Sequence, residues 1–328
     1  MPAVRVARLA AVGLSCAWVC AWAAPARAEG FLHELAHQAR LRLDAAVATR
    51  APALVPPVPV IVRWKAQKLG AIDVGATLVA LAAADLDGDG KAELYAVTPR
   101  EVVVIGVSPH GLKELGRVPF GGELAVPAPR DPVGTAIVDG DAVVATVSTW
   151  QRGVRVQLRG KSVVGGPDAA AGFPVCAARL QLAPGRNYLV DQSGDIYGAR
   201  CREVTDALGK PVHVTAVLAT TGKLAVTLAH DPPVRHDYTG VGVAFDIADI
   251  DRDGTPEVIY SGAGAPGDAD AVKVVTFGSD DKKPAFRRSF TGGVAGVVAV
   301  DLDGDGALEV VVAVRLVGST KIDLWRLN

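Results

Sequence analysis

The sequence is poor in aromatic residues, cysteine and methionine, and it contains only one segment with helical periodicity. Aromatic side chains make up 5% of the 328 residues. Beyond residue 28 the tryptophans are Trp64, Trp150 and Trp325. A lectin that stacks sugars on aromatic platforms carries more, so a carbohydrate-binding surface is not the first reading. The net charge is −1, and no basic stripe runs along the chain, which leaves no footprint for nucleic acid. No G-x-S-x-G elbow, glycine-rich phosphate loop or C-x-x-C pair occurs, and His110, His213, His230 and His236 are scattered. Several common enzyme chemistries therefore have no visible carrier. Without crossover helices a parallel α/β sheet cannot be connected. After residue 28 no apolar run approaches the roughly 20 residues of a membrane-spanning helix.

What is present starts with an export signal. Arg5 and Arg8 precede an uncharged stretch at residues 9–24, and Ala26-Arg27-Ala28 has the small-x-small form of a cleavage site. Gly13 stands where a lipobox before Cys16 would have leucine. Residues 1–28 thus read as a signal peptide, and the protein is expected in the periplasm or outside the cell. Cleavage removes three arginines (Arg5, Arg8 and Arg27) and no acid, so the charge moves from −1 to −4. Cys176 and Cys201 remain. In an oxidising compartment this even pair is expected to form a disulfide, a staple within one repeat, the alternative being two buried thiols.

Residues 29–59 divide into a helix and a linker. Phe31, Leu32, Leu35, Leu41 and Leu43 recur at helical spacing, and the proline-rich residues 49–59 cannot continue the helix. His33-Glu34-Leu35-Ala36-His37 is a literal H-E-x-x-H, the zinc-protease pattern. It lacks a third downstream ligand and a domain to close around it, so chance composition on a surface helix is the preferred reading. From residue 60 to 328 the chain reads as short valine-rich strands between Gly, Asp and Pro clusters.

Within that region the sequence repeats. LVALAAADLDGDGKAELYAV, VAFDIADIDRDGTPEVIYSG and VAGVVAVDLDGDGALEVVVAV align without gaps at their centres. Their first aspartates, Asp85, Asp249 and Asp301, are spaced 164 and 52 residues apart, close to three periods and one. Fainter copies surround Asp139, where the turn is too short, and residues 186–197, which keep Asp191, Ser193 and Asp195. A period near 50 residues holding about four strands marks a propeller blade. The expected fold is therefore an all-β propeller of about five or six four-stranded blades. Closure is expected to pair the strand at 60–64 with 321–327.

Each strong repeat carries D-x-D-x-D-G-x-x-E. The acids are Asp85, Asp87, Asp89 and Glu93; Asp249, Asp251, Asp253 and Glu257; and Asp301, Asp303, Asp305 and Glu309. Calcium takes six to eight oxygen ligands, and alternate aspartates in a tight loop can turn their carboxylates to one centre. Gly90, Gly254 and Gly306 permit the bend, which would aim the carbonyls of Lys91, Thr255 and Ala307 inward. An EF-hand is excluded, because its position-12 glutamate is replaced by Ala96, Tyr260 and Val312. Asp and Gly also favour turns for backbone reasons alone. Four carboxylates in one loop, three times over, are better explained by a cation.

These loops resemble the FG-GAP or VCBS repeats of integrin α-chain propellers and of many secreted bacterial proteins. The resemblance is fullest over residues 240–277, where Gly264-Ala265-Pro266 follows the loop; the other two repeats lack that tail. It implies a calcium-binding propeller with about three Ca2+ ions. The family includes adhesins, lectins, pilus-tip proteins and lyases, so it does not fix the biology. The expected role is a protein-binding or scaffold module with structural calcium, and not an enzyme. A calcium-dependent carbohydrate-binding module is the alternative, ahead of a zinc metallohydrolase built on His33-Glu34-Leu35-Ala36-His37.

Overall fold

The computed structural model describes residues 38–40, 42, 54–125, 131–192, 194–264, 268–316 and 318–328. The chain divides into two units, Met1–Ala53 and Leu54–Asn328. In the first, Gln38, Ala39, Arg40 and Arg42 are helical, inside the segment read as a helix. The leader and the H-E-x-x-H stretch lie outside the described residues. No helix among the described residues is long and apolar enough to cross a membrane.

The second unit is all-β. Its first strand, β1 (Ala66–Asp73), belongs to the last sheet. One four-stranded sheet follows as β2 (Ala80–Ala84), β3 (Glu93–Val97), β4 (Glu101–Ser108) and β5 (Gly111–Pro119). The next is β6 (Gly134–Asp139), β7 (Ala142–Val147), β8 (Val154–Arg159) and β9 (Ser162–Pro167). A seven-stranded sheet contains β10 (Phe173–Val175), β11 (Ala178–Leu182), β12 (Leu189–Asp191), β13 (Gly194–Thr205), β14 (Pro211–Ala219), β15 (Leu224–Leu228) and β16 (Val234–Tyr238). Then come β17 (Val241–Ala248), β18 (Glu257–Gly262), β19 (Asp270–Thr276) and β20 (Phe286–Phe290). The final sheet runs β21 (Val294–Val300), β22 (Glu309–Arg315), β23 (Lys321–Leu327) and β1.

Burial follows the sequence pattern. The second strands β3, β7, β18 and β22 are almost wholly buried, which is why they read as unbroken Val, Ala and Tyr runs rather than alternating ones. Each is covered on both faces by a neighbouring sheet. On β3, Leu94 and Ala96 pack with Val311 and Leu324, whereas Tyr95 and Val97 pack with Val143 and Val156. Farther from the core, β8 and β14 alternate. The strands that open the repeats touch in the order β2, β6, β10, β13, β17, β21 and back to β2.

Two expectations are corrected. The terminal seam is β23 with β1, in the register Ile72↔Ile322, and not with residues 60–64. The 60–64 segment is instead fixed by Val60 N–H donating to the Asp251 carbonyl and by Trp64 stacking on Phe286. Nor does the degenerate region form four-stranded units only. The twelve-residue β13 pairs with β12 at its start and with β14 along its length, joined through an irregularity between Ile196 and Gly198. One strand thereby fuses two groups into a seven-stranded sheet.

The disulfide joins Cys176, in the β10–β11 turn, to Cys201 on β13, with Cα atoms 5.4 Å apart and a sequence separation of 25. A loop of that length restricts the unfolded chain by about 3.5 kcal/mol. Reduction, or Cys201→Ser, is expected to shift the urea midpoint downward accordingly. An unchanged midpoint would leave the bridge without a stabilising role. Sheet packing is just as specific at Gly165 on β9, where a Cβ would stand 2.1 Å from Val118 Cγ1 of the adjacent sheet. Gly165→Ala is therefore expected to cost about 1–3 kcal/mol by overpacking, read as a lower melting temperature.

Candidate metal centre

The three acidic loops begin one residue beyond β2, β17 and β21, and they end at the first residue of the partner strand. The first aspartate organises each turn by accepting backbone N–H groups. Asp85 takes those of Gly88 (2.7 Å) and Gly90 (2.8 Å), and Asp301 takes those of Gly304 and Gly306 (both 2.8 Å). Asp249 takes those of Asp253 (3.1 Å) and Gly254 (3.0 Å). At the far side, one oxygen of each glutamate accepts the N–H of the second loop residue. These bonds are Leu86 to Glu93 (3.3 Å), Ile250 to Glu257 (2.9 Å) and Leu302 to Glu309 (2.9 Å). Ile250 and Leu302 are buried, so an apolar side chain anchors the loop while its amide holds the acid.

This geometry gathers three carboxylates per loop. One oxygen each from Asp85, Asp87 and Glu93, from Asp249, Asp251 and Glu257, and from Asp301, Asp303 and Glu309 lie within 4.8 Å of one another. The glutamates are only 6%, 2% and 2% exposed, whereas the aspartates face outward to varying degrees. Asp89, Asp253 and Asp305 stand outside these groups. Each turns an oxygen to the N–H two residues on, of Lys91, Thr255 and Ala307. Burial, reinforced by the neighbouring acids, pushes Glu93 up to about 7 and Glu257 up to about 8. Asp249 rises to about 6 for the same reasons. Like charges held this close favour either a proton or a cation.

The donor set is all carboxylate oxygen, which suits a hard divalent cation and not a thiolate- or imidazole-seeking one. In the first two loops no Lys or Arg forms an ion pair with any of the acids, among the described residues. The third differs. Arg326 on β23 donates to Asp303 (2.8 Å) and to Glu309 (2.5 Å), and its charge opposes the upward effect of burial on Glu309. The same register position in the first two repeats holds Val104 and Val274. In the β6–β7 turn the equivalent residue is Arg155, which reaches Asp139 (2.8 Å) and Asp141 (3.3 Å). A guanidinium thus fills one short acidic turn and shares one full loop, while two loops have no internal cation.

The loops lie close together. Ala92 N–H donates to the Asp301 carbonyl at 3.1 Å, and Gly304 abuts the Gly90 carbonyl. Two features of the motif were not extracted from its pattern. Its second position is always aliphatic, and its fourth is left-handed, with φ 75° at Gly88, 79° at Gly304 and 56° at Arg252. An arginine in that conformation is strained by about 1–2 kcal/mol. The echo at Asp191 and Asp195 forms the β12–β13 turn, with Ser193 outside the described residues. Ala265 and Pro266, which follow the second loop, also lie outside them.

No family model matches the chain, and no curated protein matches it. Among solved structures 33 chains match. One is the crystal structure of the S. cerevisiae core factor at 3.2 Å, with a TM-score of 0.38 and 9% identity. The match covers 83% of this chain and 62% of that one, so this chain spans under two thirds of its length.

Proposed function

We propose that this protein is an exported, calcium-binding β-propeller that acts as a protein-binding or scaffold module, with calcium in a structural role. The observation that carries the metal reading is the convergence of a buried glutamate on two aspartates in each of three loops. In two of them no internal counter-charge relieves the repulsion. The propeller reading is supported by the entry of β1 into the last sheet and by the closed succession of first strands. Six such strands favour six blades, with the seven-stranded sheet counted as two. Export is supported by the leader and by the disulfide.

When bound, calcium would supply the positive charge that lets Asp85, Asp87 and Glu93, with their counterparts, remain ionised together. The third loop is a weaker site in this reading, because an ion there competes with Arg326. Arg326→Gln is expected to tighten calcium binding at that loop about tenfold, the worth of one charge-assisted contact. Calorimetric titration of the variant checks this, and an unchanged third affinity would contradict it. The scaffold role is tested by capture from a cell-envelope fraction with calcium-loaded protein. A specific partner lost on chelation is expected; none captured in either state would remove that role.

A further inference from the structure

A cavity of about 880 Å3 opens where β2, β6, β17 and β21 begin, the opposite ends of these strands from the acidic loops. Its charge is unbalanced. Arg200 and Arg202 are alternate residues of β13, so their side chains share one face. Arg202 donates to the Asp246 carboxylate on β17 at 2.8 Å and to the Ala299 carbonyl on β21 at 2.9 Å. Among the described residues the polar contact of Arg200 is to the Leu81 carbonyl at 3.5 Å, longer than an effective hydrogen bond. Among the described residues no carboxylate pairs with it, so two guanidiniums share Asp246.

Arg200 is half-buried, with the rest of its surface open to the cavity. That burial lowers its pKa, with Arg202 adding to the effect and Asp246 opposing it. A second wall residue, Arg315, has a buried Nε with no hydrogen-bond partner and no ion pair among the described residues. The acids present do not compensate. Asp131 is exposed at the edge, and Asp270 is engaged by the N–H groups of Gly262 (3.0 Å) and Ala271 (2.6 Å). Leu78, Val241, Phe245 and Val294 supply an apolar wall. A half-buried guanidinium that faces a cavity without a carboxylate of its own is placed to pair with an anionic ligand. Cavities of this size, apolar with a few convergent polar groups, take small molecules.

The geometry points to a binding site for a small organic anion here, its carboxylate or phosphate head on Arg200 and its apolar body against the cavity wall. A planar fork of donors suits either head group. This site shares no residue with the acidic loops and stands or falls separately from them.

The test is calorimetric titration of the full calcium-loaded chain at low ionic strength with benzoate, phenylphosphate and neutral benzyl alcohol. Saturable binding of benzoate, phenylphosphate or both is expected, and which of them binds identifies the head group; benzyl alcohol should not bind. Arg200→Met should weaken the anion at least tenfold, and Arg100→Met, at the exposed rim, less than twofold. The unliganded Arg200→Met protein should melt no lower than wild type, since it loses an uncompensated charge. Failure of both anions to bind, equal binding of benzyl alcohol, or wild-type affinity in Arg200→Met overturns the proposal. So does a markedly lower melting temperature for that variant, which would make Arg200 a structural group.

Discussion

Excess EGTA is expected to lower the melting temperature of this protein by about 10 °C, and added calcium should restore it. Each site stabilises the fold by about 2.7 kcal/mol at a hundredfold excess of ion over Kd. The two loops without an internal cation therefore contribute about 5 kcal/mol together, worth about 10 °C or more for a chain of this size. The physical cause is the pair of glutamates, Glu93 and Glu257, at 6% and 2% exposure beside two aspartates each. With calcium they stay ionised inside the protein, and without it they must take up a proton or push the loop open. Magnesium should substitute poorly, because it demands a tight octahedral shell and sheds water reluctantly. A melting temperature indifferent to EGTA would remove the structural role assigned to the ion.

The second large effect is expected at Asp246→Ala. Asp246 is 1% exposed and holds Arg202, while its oxygens also accept the N–H groups of Ala299 (2.8 Å) and Ile247 (3.0 Å). Removing it leaves Arg200 and Arg202 adjacent with no carboxylate between them, and it orphans the Ala299 amide where β17 meets β21. Breaking one side of a buried pair costs about 3–5 kcal/mol. The lower end applies here, because the Arg202 side chain remains 39% exposed. Urea denaturation should show that loss, whereas Asp139→Ala, at the exposed pair with Arg155, should cost under about 1 kcal/mol. Similar costs at the two positions would mean that Asp246 is not a keystone of the inner strands.

Much of the candidate site was legible in the sequence because its determinants are local. The D-x-D-x-D-G-x-x-E spacing encloses all the acids that meet, and Gly90, Gly254 and Gly306 stand where φ is 88°, 88° and 82°. The strands were legible for the same reason, each short apolar run being closed by its own turn. The cysteine pairing followed from compartment and parity. What escaped is set by register between distant strands. Arg326 reaches Glu309 from 17 residues away, and Arg155 reaches Asp139 from 16, through side chains of a third strand. Neither offset leaves a mark in the repeat itself. The seam strand was misplaced because residues 60–64 are as apolar as a strand, yet they dock by single contacts such as Trp64 on Phe286. The fused sheet was hidden because one long β13 serves two neighbours.

Native mass spectrometry of chelator-stripped protein, titrated with calcium, tests the central claim most directly. Two ions are expected to bind together at low concentration and a third at higher concentration. Glu93→Gln and Glu257→Gln should each remove one of the early pair, and Arg326→Gln should bring the third ion forward. No calcium uptake at millimolar concentration, or the same uptake with both glutamates replaced, would contradict it.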